Sequence, residues 1–175
     1  MEAIYLRDLR HAIRVANMSK RLADFLNLSE EEKNELYIAC LFHDVGKSFL
    51  SQDILNKSGN LIAEEKKHVE THPILSFKEV INIGYSEKVA EDILYHHENF
   101  DGSGYPYGLK GQSIPLGARI IRITDTFDAL TSDRPYRRAM KADTAFEIME
   151  RQKELYDPEL YKLFCLLYTK NKLLF

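Results

Sequence analysis

The side chains best suited to chemistry in this 175-residue sequence are histidines and aspartates spread along the chain. Adjacent helical residues point about 100° apart, so His43 and Asp44 would not bond each other but could approach a shared metal pair from two directions. Imidazoles and carboxylates together suit iron, manganese or zinc, whereas calcium and magnesium prefer oxygen alone. Two divalent ions bridged by one aspartate would use all the candidate ligands, which are His11, His43, Asp44, His72, His96, His97 and Asp125. We therefore expect a two-metal centre.

Each of these residues also has an ordinary structural explanation. A single histidine on a helix is more often a surface or core residue than a metal ligand. Asp128 alone is more typical of a cap or a pairing group, and His68 has no evident part in the pattern. The order His, His-Asp, His, His-His, Asp on separate helical segments nevertheless favours metal binding, because buried acidic groups need a partner or a cation.

Composition and charge exclude several other classes of protein. The chain is 45% hydrophobic and 29% charged, as in a soluble globular protein, and we expect one domain over residues 1–175. A net charge of -3 argues against binding to duplex nucleic acid. The sequence has no apolar run of membrane-spanning length and no signal-peptide pattern, so we expect a cytoplasmic protein without membrane association. Cys40 and Cys165 are predicted to be buried free thiols.

The spacing of apolar residues predicts an all-α fold. Ser29 and Glu32 form a capping box that begins the second helix. Gly46 is expected to end that helix, which places His43 and Asp44 in its last turn. The predicted helices cover residues 5–26, 30–46, 64–71, 73–82, 87–98, 116–130, 143–155 (capped by Asp143) and 158–170 (capped by Asp157). A glycine-rich loop of about 15 residues, 99–113, precedes the sixth helix, and loops of that length are usually functional or disordered.

These motifs resemble the HD-GYP domain, a branch of the HD superfamily of metal-dependent phosphohydrolases. Residues 43–47 match its HDxGK signature, and residues 96–106 match the motif from which the family takes its name. Residues 125–137 complete the pattern, and the resemblance extends from about residue 11 to residue 158. It implies a helical bundle of the HD superfamily with a glycine-rich GYP loop.

The resemblance also implies how two divalent ions, iron or manganese, would be held. One ion would take His11, His43, Asp44 and Asp125, and the other would take His72, His96 and His97, with Asp44 bridging. Some family members bind a third ion through a carboxylate one helical turn before the first histidine. Arg7 stands there in this chain, so two ions are predicted. Ser76 and Ile62 replace a glycine and a threonine that are common in the family, with an expected effect on local packing alone.

Catalysis is expected to involve Asp44 and Lys47, and the expected substrate-binding residues are Lys47, Tyr105, Arg134 and Arg137. The forked donors of arginine suit phosphate. Arg134 and Arg137 could instead pair with Asp128 or Asp133, and Lys47 could be a solvated surface lysine.

The segment around the glycine-rich loop carries three further candidates. Tyr105 could stack on a nucleotide base or hold the loop. Asp101 is expected to fix the loop, and Glu98 is a candidate for supporting the ligands beside it.

The activity that the resemblance implies is hydrolysis of cyclic di-GMP to linear pGpG, and in some members to GMP. Two adjacent ions would activate a bridging hydroxide and hold a phosphoryl oxygen. A sensor or a GGDEF-type protein is the implied partner. Two alternatives stay open: an HD phosphohydrolase of another nucleotide, and a non-catalytic signalling module that binds a cyclic dinucleotide.

Overall fold

Helices account for all the regular structure in the computed structural model, which describes residues 2–57, 59–133 and 138–170. No β-strand occurs within these ranges, so the predicted all-α fold is confirmed. The α-helices are α1 (Glu2–Phe25), α2 (Glu30–Phe42), α3 (Gln52–Leu55), α4 (Ala63–Val69), α5 (His72–Asn82), α6 (Glu87–Leu94), α7 (Leu116–Thr131), α8 (Ala142–Glu150) and α9 (Pro158–Thr169). Short 3-10 helices lie at Val45–Phe49, Gly111–Ser113 and Lys153–Leu155. None of the described helices has both the length and the hydropathy needed to cross a bilayer.

The main hydrophobic core is formed by α1, α2, α6, α7, α8 and α9, and α5 packs on α6 and on the first 3-10 helix. The apolar face of α1 is buried, with Val15, Ala16, Leu22 and Ala23 fully enclosed. Phe25 is 48% exposed, at the residue where α1 ends. The burial of one continuous helical stripe fixes the rotation of α1, and with it the direction of His11.

The turn after α2 differs from the prediction. The capping box at Ser29 is present, but α2 ends at Phe42, so His43 and Asp44 follow the helix instead of forming its last turn. Gly46 lies inside a 3-10 helix and has no left-handed φ. A Cβ atom there would lie 2.2 Å from the His72 carbonyl oxygen, so this glycine allows the turn to approach α5.

Other helix boundaries also differ from the predicted ones. The helix predicted to reach residue 98 ends at Leu94, and the one predicted to reach residue 155 ends at Glu150. Asp143 lies in the first turn of α8, whose N-cap residue is Lys141. The Asp157 cap before α9 is present as predicted. Local sequence therefore located the capped starts better than the ends.

The two cysteines are free thiols, but only one is buried. Cys40 is fully enclosed, and burial raises the pKa of its thiol to about 12. Cys165 is half-buried and packs against the core beside the buried residues of α9. The prediction of free thiols is confirmed, and that of burial holds for Cys40 alone.

Candidate metal centre and its supporting loop

The candidate ligands come from five separate places in the fold. His11 lies on α1, His72 is the first residue of α5, and Asp125 lies on α7. The remaining ligands stand in the turns that follow α2 and α6, and they are His43, Asp44, His96 and His97. Ligands on rigid helices and on turns pinned by packing can hold a defined geometry, so the fold suits a fixed centre.

All seven candidates meet in two adjoining groups. Asp44, His72, His96 and His97 form one group, and His11, His43 and Asp125 form the other. Within each group the potential ligand atoms lie within 4.8 Å of one another. Helix packing has thus brought together residues as far apart in sequence as 11 and 125.

Asp44 faces both groups with different oxygen atoms. Its Oδ2 lies 3.5 Å from His43 Nε2 and 3.9 Å from His11 Nε2. Its Oδ1 lies 3.2 Å from His72 Nε2 and is buried without a hydrogen-bond partner. A buried carboxylate oxygen without a donor is costly, and a cation on that side would satisfy it.

Hydrogen bonds to the backbone fix the tautomers of three of the histidines. Nδ1 of each donates to a carbonyl three residues earlier, at 2.6 to 2.8 Å. The pairs are His43 with Cys40, His72 with Val69, and His96 with Ile93. Because a carbonyl can only accept, Nε2 of each neutral ring carries the lone pair. Nε2 is therefore the atom offered to a metal.

Ring nitrogens of four histidines face one another in pairs across the site. His72 Nε2 lies 3.4 Å from His96 Nε2, and His11 Nε2 lies 3.3 Å from His43 Nε2. In the first pair both Nε2 atoms carry lone pairs, and two lone pairs at such a distance repel unless a proton or a cation lies between them. The donor set, with three of its tautomers fixed and an unsatisfied carboxylate oxygen beside it, fits two divalent cations.

The protonation states also fit ligation. Burial lowers the pKa values of His43, His96 and His97, which keeps these imidazoles neutral. Burial alone would raise the pKa of Asp125, but the neighbouring histidines, His11 first, bring it well below its usual range. Burial opposes charge on His11, yet its contacts with Asp125 and Asp128 raise its pKa to about 9. Without metal, the site therefore gathers a proton where a cation would bind.

Asp128 is the pairing group that the sequence suggested, and its partner is Arg14. Arg14 donates through Nε and Nη2 to the two Asp128 oxygens at 2.5 and 2.9 Å. Asp128 Oδ2 lies 2.7 Å from His11 Nδ1. The triad orients the His11 ring. Sequence reasoning missed Arg14, although its place three residues after His11 on the same helical face was a usable signal.

Ser76 does more than alter local packing. Its hydroxyl donates to the His43 carbonyl oxygen at 2.8 Å and accepts from the Gly46 amide at 2.8 Å. The side chain is fully buried. Ser76 thereby clamps both ends of the turn that contains Asp44.

Lys47 and the loop residues border the centre. Lys47 donates to Asp44 Oδ2 at 2.6 Å. Tyr105 stacks on the His97 ring with centroids 4.8 Å apart, and its amide donates to the His97 carbonyl at 3.3 Å. Asp101 accepts from the Ser103 amide and hydroxyl at 2.9 and 2.7 Å, which holds the loop as expected.

Glu98 anchors the loop from inside. It is 1% exposed, and its carboxylate accepts from the amides of Tyr107, Gly108 and Leu109 at 2.8, 3.1 and 3.1 Å. Gly104 makes this course feasible, since a Cβ there would lie 2.3 Å from the Asn99 nitrogen. The buried Glu98 carboxylate thus holds the backbone of the loop just after Tyr105.

Asp92 is a supporting residue that the sequence did not reveal. It is buried on α6 and accepts from the Ala118 amide at 3.1 Å, in the first turn of α7. Pro115, the N-cap residue of α7, supplies no side-chain cap, so Asp92 caps the helix from outside. A Cβ atom on Gly117 would clash with this carboxylate. The contact ties the helix that precedes His96 to the helix that carries Asp125.

The other residues that the sequence singled out lie outside the described ranges or on the surface of α4 and its N-terminal end. Arg134 and Arg137 lie outside the described residues, as does the side chain of Arg7. His68 is exposed on α4. Ile62 precedes α4 and is 58% exposed, and Glu65 accepts from its amide at 3.0 Å.

Comparison with known proteins places this arrangement in context. The family model described as "HD domain" matches residues 6–160. A cyclic di-GMP phosphodiesterase of Thermotoga maritima is 38% identical over 158 residues, covering 89% of this chain and 43% of the relative. The 3'3'-cGAMP-specific phosphodiesterase 1 of Vibrio cholerae is 38% identical over 143 residues, covering 82% of this chain and 33% of the relative. This chain therefore spans less than half the length of either relative.

Solved structures show the same fold. The crystal structure of a cyclic GMP-AMP-specific phosphodiesterase from Vibrio cholerae aligns with a TM-score of 0.73 at 23% identity, covering 94% of this chain and 45% of that chain. An HDG"Y"P protein from Bdellovibrio bacteriovorus aligns with a TM-score of 0.71 at 21% identity, covering 92% of this chain and 52% of that chain.

Proposed function

Because the chain belongs to the HD domain family, in its HD-GYP branch, we propose that it is a metal-dependent phosphodiesterase of cyclic dinucleotides. The observation that carries the proposal is the position of Asp44, which turns one oxygen toward each of two imidazole-rich groups. The relatives named as phosphodiesterases support the reaction class.

We assign the ligands as two sets that share Asp44. One set is His11, His43, Asp44 and Asp125, and the other is Asp44, His72, His96 and His97. When bound, two divalent ions supply Lewis acidity that activates water and stabilises charge on phosphoryl oxygens. The chain's own part is to point Nε2 of His43, His72 and His96 at the centre through their backbone hydrogen bonds, and to hold Asp44 between the sets.

Lys47 is proposed as the residue that binds a phosphate oxygen. Its ammonium lies 2.6 Å from Asp44 Oδ2, where it neutralises a carboxylate that a cation would otherwise engage. Once Asp44 is engaged by a cation, the ammonium becomes free to turn toward an anionic substrate. Arg134 and Arg137 are proposed as further phosphate-binding residues, and Tyr105 as a residue that holds the loop through His97.

Cyclic di-GMP is the substrate that we propose, with linear pGpG as the product. A second candidate is 3'3'-cGAMP, because the relatives include enzymes named for each dinucleotide. Iron or manganese is the proposed metal.

The test combines elemental analysis of anaerobically purified protein with product chromatography on both dinucleotides. We expect two transition-metal ions per chain and conversion of cyclic di-GMP to pGpG. Turnover of 3'3'-cGAMP alone would favour the second candidate. Metal-loaded protein that leaves both dinucleotides intact would refute the proposal, and micromolar binding without turnover would identify a signalling module instead. A sensor or GGDEF-type partner and a cytoplasmic location stay predictions.

A further inference from the structure

A half-buried arginine beside the centre forms no ion pair with any described carboxylate. Arg122 lies on α7 one helical turn before Asp125, and so on the same face of the helix. Its Nε donates to Asn99 Oδ1 at 2.9 Å and its Nη1 donates to Thr126 Oγ1 at 2.5 Å. Both acceptors are neutral, so the positive charge of Arg122 is left without compensation by these contacts.

Two other arginines in the described part of this region are neutralised. Arg14 pairs with Asp128 and Arg119 pairs with Asp157, each at 2.5 Å. A partly desolvated guanidinium without a counter-ion is unfavourable. The contrast marks Arg122 as the cation in this part of the described chain that is best placed to receive an external anion.

The contacts of Arg122 hold it in a defined position. The Asn99 amide nitrogen donates to the Ser103 hydroxyl at 3.0 Å, which turns Asn99 Oδ1 toward Arg122. The guanidinium carbon lies 5.7 Å from the centroid of the Tyr156 ring, within the range of cation–π attraction. Nη2 has no hydrogen bond to any residue in the described ranges. The guanidinium is therefore held in place while the N–H donors of Nη2 stay available.

The same guanidinium borders the loop over the metal ligands. Asn99 follows His97 closely in the chain, and Tyr105 stacks on the His97 ring. Burial raises the pKa of the Tyr105 hydroxyl, and the charge of Arg122 is near enough to act against that rise. Arg122 therefore lies on the side of the centre that faces the glycine-rich loop.

We propose that Arg122 binds the second phosphodiester of a cyclic dinucleotide, the one that is not being hydrolysed. This inference rests on the proposed function. A cyclic dinucleotide carries two anionic phosphodiesters, and the metal centre can engage only one of them. The fork of a guanidinium matches the oxygens of the other, and charge-assisted bonds of this kind are the strong ones.

The experiment measures dissociation constants and steady-state kinetics for the wild-type chain, Arg122→Gln and Arg122→Lys, each loaded with manganese. The ligands are cyclic di-GMP, 3'3'-cGAMP and bis(p-nitrophenyl) phosphate, which has a single phosphodiester. Arg119→Lys is the matched control, because it alters a paired arginine one turn earlier on α7. Metal content and thermal unfolding are recorded for every variant.

We expect Arg122→Gln to weaken binding of both dinucleotides about 10- to 100-fold, with Arg122→Lys intermediate. Hydrolysis of bis(p-nitrophenyl) phosphate and the Arg119→Lys control should stay within about twofold of wild type. Unchanged dinucleotide affinity would overturn the proposal. So would an equal loss on all three ligands, which indicates general damage, or a loss on one dinucleotide alone, which indicates base reading.

The failure of the proposed function has a different signature. If the wild-type chain binds a dinucleotide without turning it over, the enzymatic proposal fails while the affinities still test Arg122. If the wild-type chain binds neither dinucleotide, both proposals fall.

Discussion

The buried carboxylate of Glu98 offers a sharp test of how the loop is held. In Glu98→Gln, the amide oxygen can replace Oε1 and still accept from Tyr107 and Gly108. The new NH2 group would then face the Leu109 amide, where Oε2 now accepts at 3.1 Å. The variant loses the charge-assisted bond from the Leu109 amide, worth about 1.5–3 kcal/mol. It also leaves that buried amide without an acceptor, which costs about 1–3 kcal/mol. We therefore expect the loop to be destabilised by about 3 kcal/mol or more.

Hydrogen exchange can measure this loss locally. Since each 1.4 kcal/mol is about a factor of ten, protection of the amides of residues 107–109 should fall by roughly 100-fold. Asp101→Asn is the matched control, because it makes the same chemical change in the same loop at a less buried position, where about 1 kcal/mol or less is expected. Protection unchanged in Glu98→Gln, or reduced equally in both variants, would refute the assigned role of Glu98.

Three further predictions concern the centre and its supports. Ser76→Ala should lower the free energy of unfolding by about 1–3 kcal/mol and speed the loss of metal on dialysis, whereas unchanged retention would remove the clamp from the explanation. Burial raises the pKa of Asp92 from its ordinary 3.8 to about 7, so the folded state binds this proton more tightly than the unfolded state. The stability that Asp92 contributes is therefore full below about pH 4 and is lost as the pH rises to about 7. Asp92→Asn should accordingly show a smaller fall in melting temperature between pH 5 and 8 than wild type, and an equal fall would contradict the shift. Asp44→Ala should reduce bound metal from two ions to at most one per chain by elemental analysis, because both groups lose a shared ligand; two retained ions would argue against bridging.

The sequence alone determined the features that depend on residue type and short-range spacing. The capping box at Ser29 and the cap at Asp157 indicated where helices begin, and the HDxGK and GYP motifs indicated which histidines and aspartates meet. Such patterns are local because a cap or a helical face involves residues within one or two turns. The all-α fold and the candidate ligands followed from them.

Only the tertiary structure decided how those ligands are supported. Arg14 reaches Asp128 across 114 residues, and Ser76 reaches His43 across 33. Asp92 caps a helix that begins more than 20 residues later, where Pro115 supplies no side-chain cap. These contacts depend on how helices rotate and cross, which is set by the packing of the whole core and not by neighbouring residues. The end of α2 before His43 has the same cause, because Gly46 must let the turn pack against α5.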